Sequence, residues 1–126
     1  TNSRTLECFS ELKCSLKGVF GNNDLNEPGL EETASRLGFE FKLPPLILTL
    51  DGIKLAVFHE PEAIDTVIDH ERDIDLILHG HTHRYRDEVV NGIKIFNPGE
   101  CAGSMKGKNA VGLVNIKTLH TERIFF

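Results

Sequence analysis

Residues 80–83 read Gly-His-Thr-His and follow an apolar run at 74–78. Two imidazoles two positions apart would lie about 200° apart around a helix axis, so on a helix they could not share a face. At a strand end, or in the loop after one, both can reach into a single cleft. Neutral imidazole is the commonest protein ligand for divalent transition metals. A glycine just ahead of the pair lets the backbone approach closely and turn sharply. Metal binding is the chemistry these residue types suit, and an ion held there needs further ligands from elsewhere in the chain. His59-Glu60 follows an apolar run at 53–58, Gly21-Asn22-Asn23-Asp24 follows 16–20, and Asn97-Pro98-Gly99-Glu100 follows 93–96. Taken singly, these have plain readings. His59 alone is a hydrogen-bonded structural residue, and the two Asn-rich segments are turns closed by side-chain bonds to their own backbone. His79 reads as a packing or capping residue. Arg84 and Arg86 could steer an anion but read first as solvated strand charges. His70 at a helix end and His120 near a turn carry no assigned role.

The elements that must position these groups alternate in type. Residues 5–14 read as a helix with Leu6, Phe9 and Leu12 on one face, 16–20 as a short strand, and 30–37 as a helix closed by Gly38. Pro44 and Pro45 restart the chain as extended structure. Strands at 46–50 and 53–58 flank Asp51-Gly52, a dipeptide favoured in tight hairpins. Strands at 87–90 and 93–96 flank Asn91-Gly92 in the same way. Between the hairpins, residues 62–70 read as a helix that links the strands at 53–58 and 74–78 in a parallel β-α-β crossover. Glu71, Arg72 and Asp73 form a solvated corner, and strands at 110–116 and 123–126 close the chain. The pattern predicts an α/β layered sandwich. In open α/β sheets ligands bind beyond the carboxyl ends of strands, so four polar tips on neighbouring strands would converge.

Bulk properties narrow the function. With 126 residues and ordinary apolar and charged content, the chain suits one domain. A formal charge of −5 argues against wholesale binding of a nucleic-acid backbone, though not against a phosphate held by metal ions. Three cysteines, Cys8, Cys14 and Cys101, give no pairing framework and fit a reducing cytoplasm. They read as small core or near-surface residues. No apolar run approaches the about 18 residues of a membrane span, so no membrane association is expected.

The order G-N-x-D, then H, then G-H-x-H, each after an apolar strand, resembles the calcineurin-like metallophosphoesterases. The likeness is greatest to the small bacterial and archaeal phosphodiesterases of the YfcE type, which the Asn97-Pro98-Gly99-Glu100 segment and the closing strands also match. The resemblance covers essentially the whole chain. It implies the metallophosphoesterase fold, two mixed β-sheets flanked by helices, and a site for two divalent metal ions. Asn22, His59 and His81 would bind one ion and His83 the other. Asn23 stands where many members carry a histidine. As an amide it cannot be a general acid near neutral pH, but it can hydrogen-bond a phosphate oxygen, with Asp24 supporting the loop. Glu60 replaces a usual glycine. An O/N ligand set without thiolate makes Mn²⁺ the first expectation, with Fe, Ni and Zn open.

The family's D-x-H and G-D motifs, which supply its bridging carboxylates, do not occur ahead of Asn22. The expectation is therefore a single domain over 1–126 that lacks the N-terminal strand-helix-strand portion of the family pattern. The missing motifs would reside in a longer native protein, come from a partner segment or second copy, or be lost. The function implied for the complete protein is a phosphoesterase, foremost a phosphodiesterase. In it, two metals bind a small-molecule phosphate ester and activate a bridging water; the chain alone would hydrolyse little. The alternative is a non-catalytic scaffold that holds partner proteins, as the retromer subunit of this fold does.

Overall fold

The computed structural model describes residues 1–70 and 73–126. Its centre is a five-stranded mixed sheet in the order β3-β4-β5-β7-β6, built from β3 (Leu46–Leu50), β4 (Ile53–Val57), β5 (Leu76–Leu78), β6 (Tyr85–Val90) and β7 (Ile93–Pro98). The two hairpins turn where the dipeptides predict. Asp51 and Gly52 have φ of 49° and 85°, and Asn91 and Gly92 have 53° and 86°, the paired left-handed conformations that match strand twist. Between the hairpins, a 3₁₀ turn at Pro61–Ala63 leads into α3 (Ile64–His70), and the chain re-enters the sheet at β5 parallel to β4. Of the predicted solvated corner, Glu71 and Arg72 lie outside the described residues, while Asp73 is exposed and paired with Lys54.

The three central strands run parallel and are covered on both faces, as parallel strands generally are. On one side Ala56, Ile77 and Ile95, all fully buried, pack with Ile64, Val67 and Ile68 of α3. On the other side lies the antiparallel hairpin of β8 (Ala110–Asn115) and β9 (His120–Phe125). Gly112 of β8 lies against the Phe96 ring, where an added Cβ would stand 2.4 Å from Cε1. Phe96 is only 2% exposed and has nowhere to retreat. Gly112→Ala is therefore expected to destabilise the protein by about 1–3 kcal/mol through overpacking. Thermal denaturation checks this, and an unchanged midpoint would mean that the hairpin does not seat on Phe96.

A third unit holds the Asn-rich loop. Strands β1 (Lys17–Val19) and β2 (Glu40–Lys42) pair in parallel, and α1 (Ser3–Glu7) and α2 (Leu30–Arg36) pack beside them through Leu6, Leu30, Ala34, Phe20 and Phe41. Two expectations change here. The first helix spans five residues rather than ten. Asn2 caps it through a 2.9 Å bond from the Thr5 N–H. Past Glu7 the chain tightens into successive i→i+3 turns, and Phe9 and Leu12 remain exposed. A helix this short persists where tertiary packing holds its apolar face, and only Leu6 is so held. The second layer also differs from a single mixed sheet. It is a parallel pair, β1-β2, and a separate antiparallel pair, β8-β9.

Candidate metal centre

Strand register brings the polar tips together. The Phe58 N–H bonds to Leu78 O at 2.8 Å, His79 N–H to Phe96 O at 3.2 Å, and Gly80 N–H to His59 O at 3.1 Å. The ends of β4, β5 and β7 therefore lie level, and His59 stands beside the Gly80–His83 loop. Asn22 arrives from the separate β1-β2 unit. Its Oδ1 lies 2.8 Å from His59 Nε2, which in turn lies 3.2 Å from His81 Nδ1, with the two rings edge to face. Gly21 is needed for that approach, because a Cβ there would meet the His59 ring at 2.9 Å.

The sharp turn of the histidine loop is made by the histidines themselves. His81 and His83 have φ of 63° and 57°, whereas Gly80 keeps an ordinary negative φ. Each left-handed non-glycine residue costs about 1–2 kcal/mol, a strain that persists only where surrounding contacts over-determine it. Fully buried Asn97 supplies those contacts. Its Nδ2 donates to Gly80 O at 3.0 Å and to Thr82 Oγ1 at 3.3 Å, and its Oδ1 accepts from Gly99 N–H at 2.8 Å. His79 is buried behind the loop with Nδ1 3.1 Å from Gly80 O. Its Nε2 has no hydrogen-bond partner among the described residues, and burial lowers its pKa.

The resulting open cleft, about 320 Å³, is lined by Asn22, Asn23, Asp24, His59, His81 and His83 among others. All six candidate residues face one space. Asn23 is exposed at its edge. Asp24 closes its own loop, accepting from Gly21 N–H at 2.7 Å. His59 has its pKa lowered, first by burial and then by His81, with Glu60 and Asp24 pulling the other way. That keeps its imidazole neutral, the form that ligates.

His83 is half exposed, and its Nδ1 lies 3.7 Å from Oε2 of buried Glu100. That carboxylate already accepts from the Ser104 and Met105 N–H groups at 3.0 and 2.5 Å. Burial raises its pKa, but those bonds outweigh it and the net shift is downward. Glu60 is the residue whose position the sequence left without a role. One of its carboxylate oxygens lies with nitrogen atoms of His59 and His81 inside a 4.8 Å group. The only local signal for it was adjacency to His59 at a strand end.

The donor set fits a divalent ion. Ligands about 2.1 Å from a metal stand roughly 3.0–3.4 Å from their neighbours in octahedral or tetrahedral geometry. Asn22 Oδ1, His59 Nε2 and His81 Nδ1 have spacings of that order, with one carboxylate within reach.

Comparison with known proteins bears on the same residues. A family described as the calcineurin-like phosphoesterase superfamily domain matches residues 1–119. Phosphodiesterase MJ0936 of Methanocaldococcus jannaschii is 26% identical over 109 residues, which make up 85% of this chain and 66% of that protein. The chain thus spans just under two thirds of that relative's length. Among solved structures, a novel archaeal phosphodiesterase superposes with a TM-score of 0.83 at 22% identity, covering 98% of this chain and 76% of that one. The phosphoesterase Yfce of E. coli gives 0.57 at 19% identity, covering 97% and 70%. At these identities the structures speak for the fold alone.

Proposed function

Since the chain belongs to the calcineurin-like phosphoesterase superfamily, we propose that the complete protein is a metal-dependent phosphodiesterase and that this chain carries one metal position of its active site. The observation that supports this most directly is the convergence of Asn22, His59 and His81 at 2.8 and 3.2 Å. These three side chains hold one divalent ion, Mn²⁺ for preference among ions that accept an O/N set. His83 faces a second position. Bound divalent ions supply Lewis-acid polarisation of a phosphate ester and acidify water.

The chain's own residues do the rest. Burial keeps the His59 imidazole unprotonated. Asn97 locks the backbone of the loop that carries His81 and His83 at the cleft. Asn23 at the cleft edge donates a hydrogen bond to a phosphate oxygen, and Asp24 holds the Asn22–Asn23 turn through Gly21. Glu60 contributes a carboxylate to the ion held by His59 and His81. Further ligands for the second position come from residues outside those gathered here, so the 126-residue chain alone turns over little. The substrate is a small phosphate ester; no helix among the described residues is long and apolar enough to cross a membrane.

The test is hydrolysis of bis-p-nitrophenyl phosphate by the complete protein with and without Mn²⁺. Metal-dependent turnover that EDTA abolishes is expected, with little from the 126-residue chain alone. Absence of turnover with any of Mn²⁺, Fe²⁺, Ni²⁺ or Zn²⁺ would overturn the enzymatic reading in favour of a partner-binding scaffold. Brisk turnover by the short chain would overturn the incomplete-site reading.

A further inference from the structure

We infer that the cleft adjoining His83 receives a second anionic group of the substrate, such as a further phosphate carried on one arm of the diester. The inference rests on the phosphodiesterase reading and narrows its substrate class. The cleft, about 240 Å³, is lined by Arg84, Lys108 and Arg123 together with His83, Gly99 and Glu100. His83 also lines the cleft of the metal centre, so its side chain borders both spaces.

The cations in this cleft are placed but not neutralised. The Arg123 guanidinium sits between two rings, 4.5 Å from the Tyr85 centroid and 4.4 Å from that of Phe125. Stacking fixes its orientation without cancelling its charge. Its Nε is buried, with no hydrogen-bond partner among the described residues. Gly99 leaves room for it, since a Cβ there would stand 3.2 Å from Nη2. Among the described residues, Arg84, Lys108 and Arg123 pair with no carboxylate. Their neighbours on the sheet do: Arg86 binds Glu88 and Lys94 binds Asp87. Glu100 is an anion in the same wall, but its two oxygens are engaged by the Ser104 and Met105 N–H groups. Three cations against one occupied carboxylate leave a positive excess in a chain of net charge −5. Such a local reversal of sign beside a phosphate-handling site draws and orients an anion.

A matched pair of probes tests this: thymidine 5′-(p-nitrophenyl phosphate) and the same diester carrying a 3′-phosphate. With the complete Mn²⁺-loaded protein, kcat/KM is expected to favour the 3′-phosphorylated probe by about tenfold, the scale of one charge-assisted hydrogen bond. Lys108→Gln and Arg84→Gln should each bring that ratio towards one. No preference in the wild type, or a ratio untouched by both variants, overturns the inference while leaving the phosphodiesterase reading intact. Failure of both probes and of bis-p-nitrophenyl phosphate would overturn that reading instead. The cleft is then judged by calorimetric titration of thymidine 3′,5′-bisphosphate into metal-free protein. About tenfold weaker binding to Lys108→Gln and Arg123→Gln is expected, and equal affinity would overturn the inference.

Discussion

Replacing His59 with alanine in the complete protein is expected to weaken Mn²⁺ binding by about 100-fold or more and to lower phosphodiester turnover at least as much. Loss of an outer-shell partner alone typically costs 10–100-fold in metal affinity, and His59 sits at the centre of the ligand group. Its Nε2 is the atom between Asn22 Oδ1 at 2.8 Å and His81 Nδ1 at 3.2 Å. Removing the ring also opens the space that Gly21 leaves for it, so the remaining ligands lose their common neighbour as well as a donor. Electron paramagnetic resonance of free Mn²⁺ measures the affinity independently of catalysis. A variant that binds Mn²⁺ as tightly as the wild type would show that the ion, if bound, is held elsewhere. Glu60→Gln should fall between the two, because it removes a charge but keeps an oxygen.

Asn97→Leu is expected to destabilise the fold by about 3 kcal/mol, and the midpoint of thermal unfolding to fall by about 10 °C. The side chain is fully buried and ties the histidine loop to its own strand-end turn, with bonds to Gly80 O, Thr82 Oγ1 and Gly99 N–H. Leucine has a similar volume but leaves those partners unpaired, and each buried unsatisfied group costs about 1–3 kcal/mol. The change also frees the loop that holds His81 and His83 in left-handed conformations. Metal affinity should therefore fall along with stability, even though Asn97 is none of the proposed ligands. Differential scanning calorimetry together with the Mn²⁺ titration checks both. A destabilised variant with unchanged affinity would separate the loop's strain from the site's geometry.

Much of the fold could be read before the structure because its signals are local. Asp51-Gly52 and Asn91-Gly92 specify their turns through residues that adopt positive φ at low cost, and each hairpin register follows from its turn. The α3 crossover follows from apolar spacing within a nine-residue window. The family was legible in the order of short polar tips, which survives when overall identity does not. The end of the first helix was not legible, because Leu6, Phe9 and Leu12 have the same spacing whether or not a partner surface covers all three. Nor was the division of the second layer, since strand partners are chosen by contacts across the chain.

The sequence by itself determined which groups are available: four strand ends bearing Asn22, His59, His81 with His83, and Asn97, and the alternation that levels three of those strands side by side. Those follow from residue type and short-range periodicity. Only the tertiary structure decided how the groups meet. The histidines, not the glycine before them, take the strained conformations. Buried Asn97 stabilises them from another strand. Glu100 reaches His83 yet is held by backbone amides, and Arg123, 40 residues along the chain from His83, joins Arg84 in one cleft. Each depends on burial and distance between residues far apart in the chain, and residue spacing along the chain encodes neither.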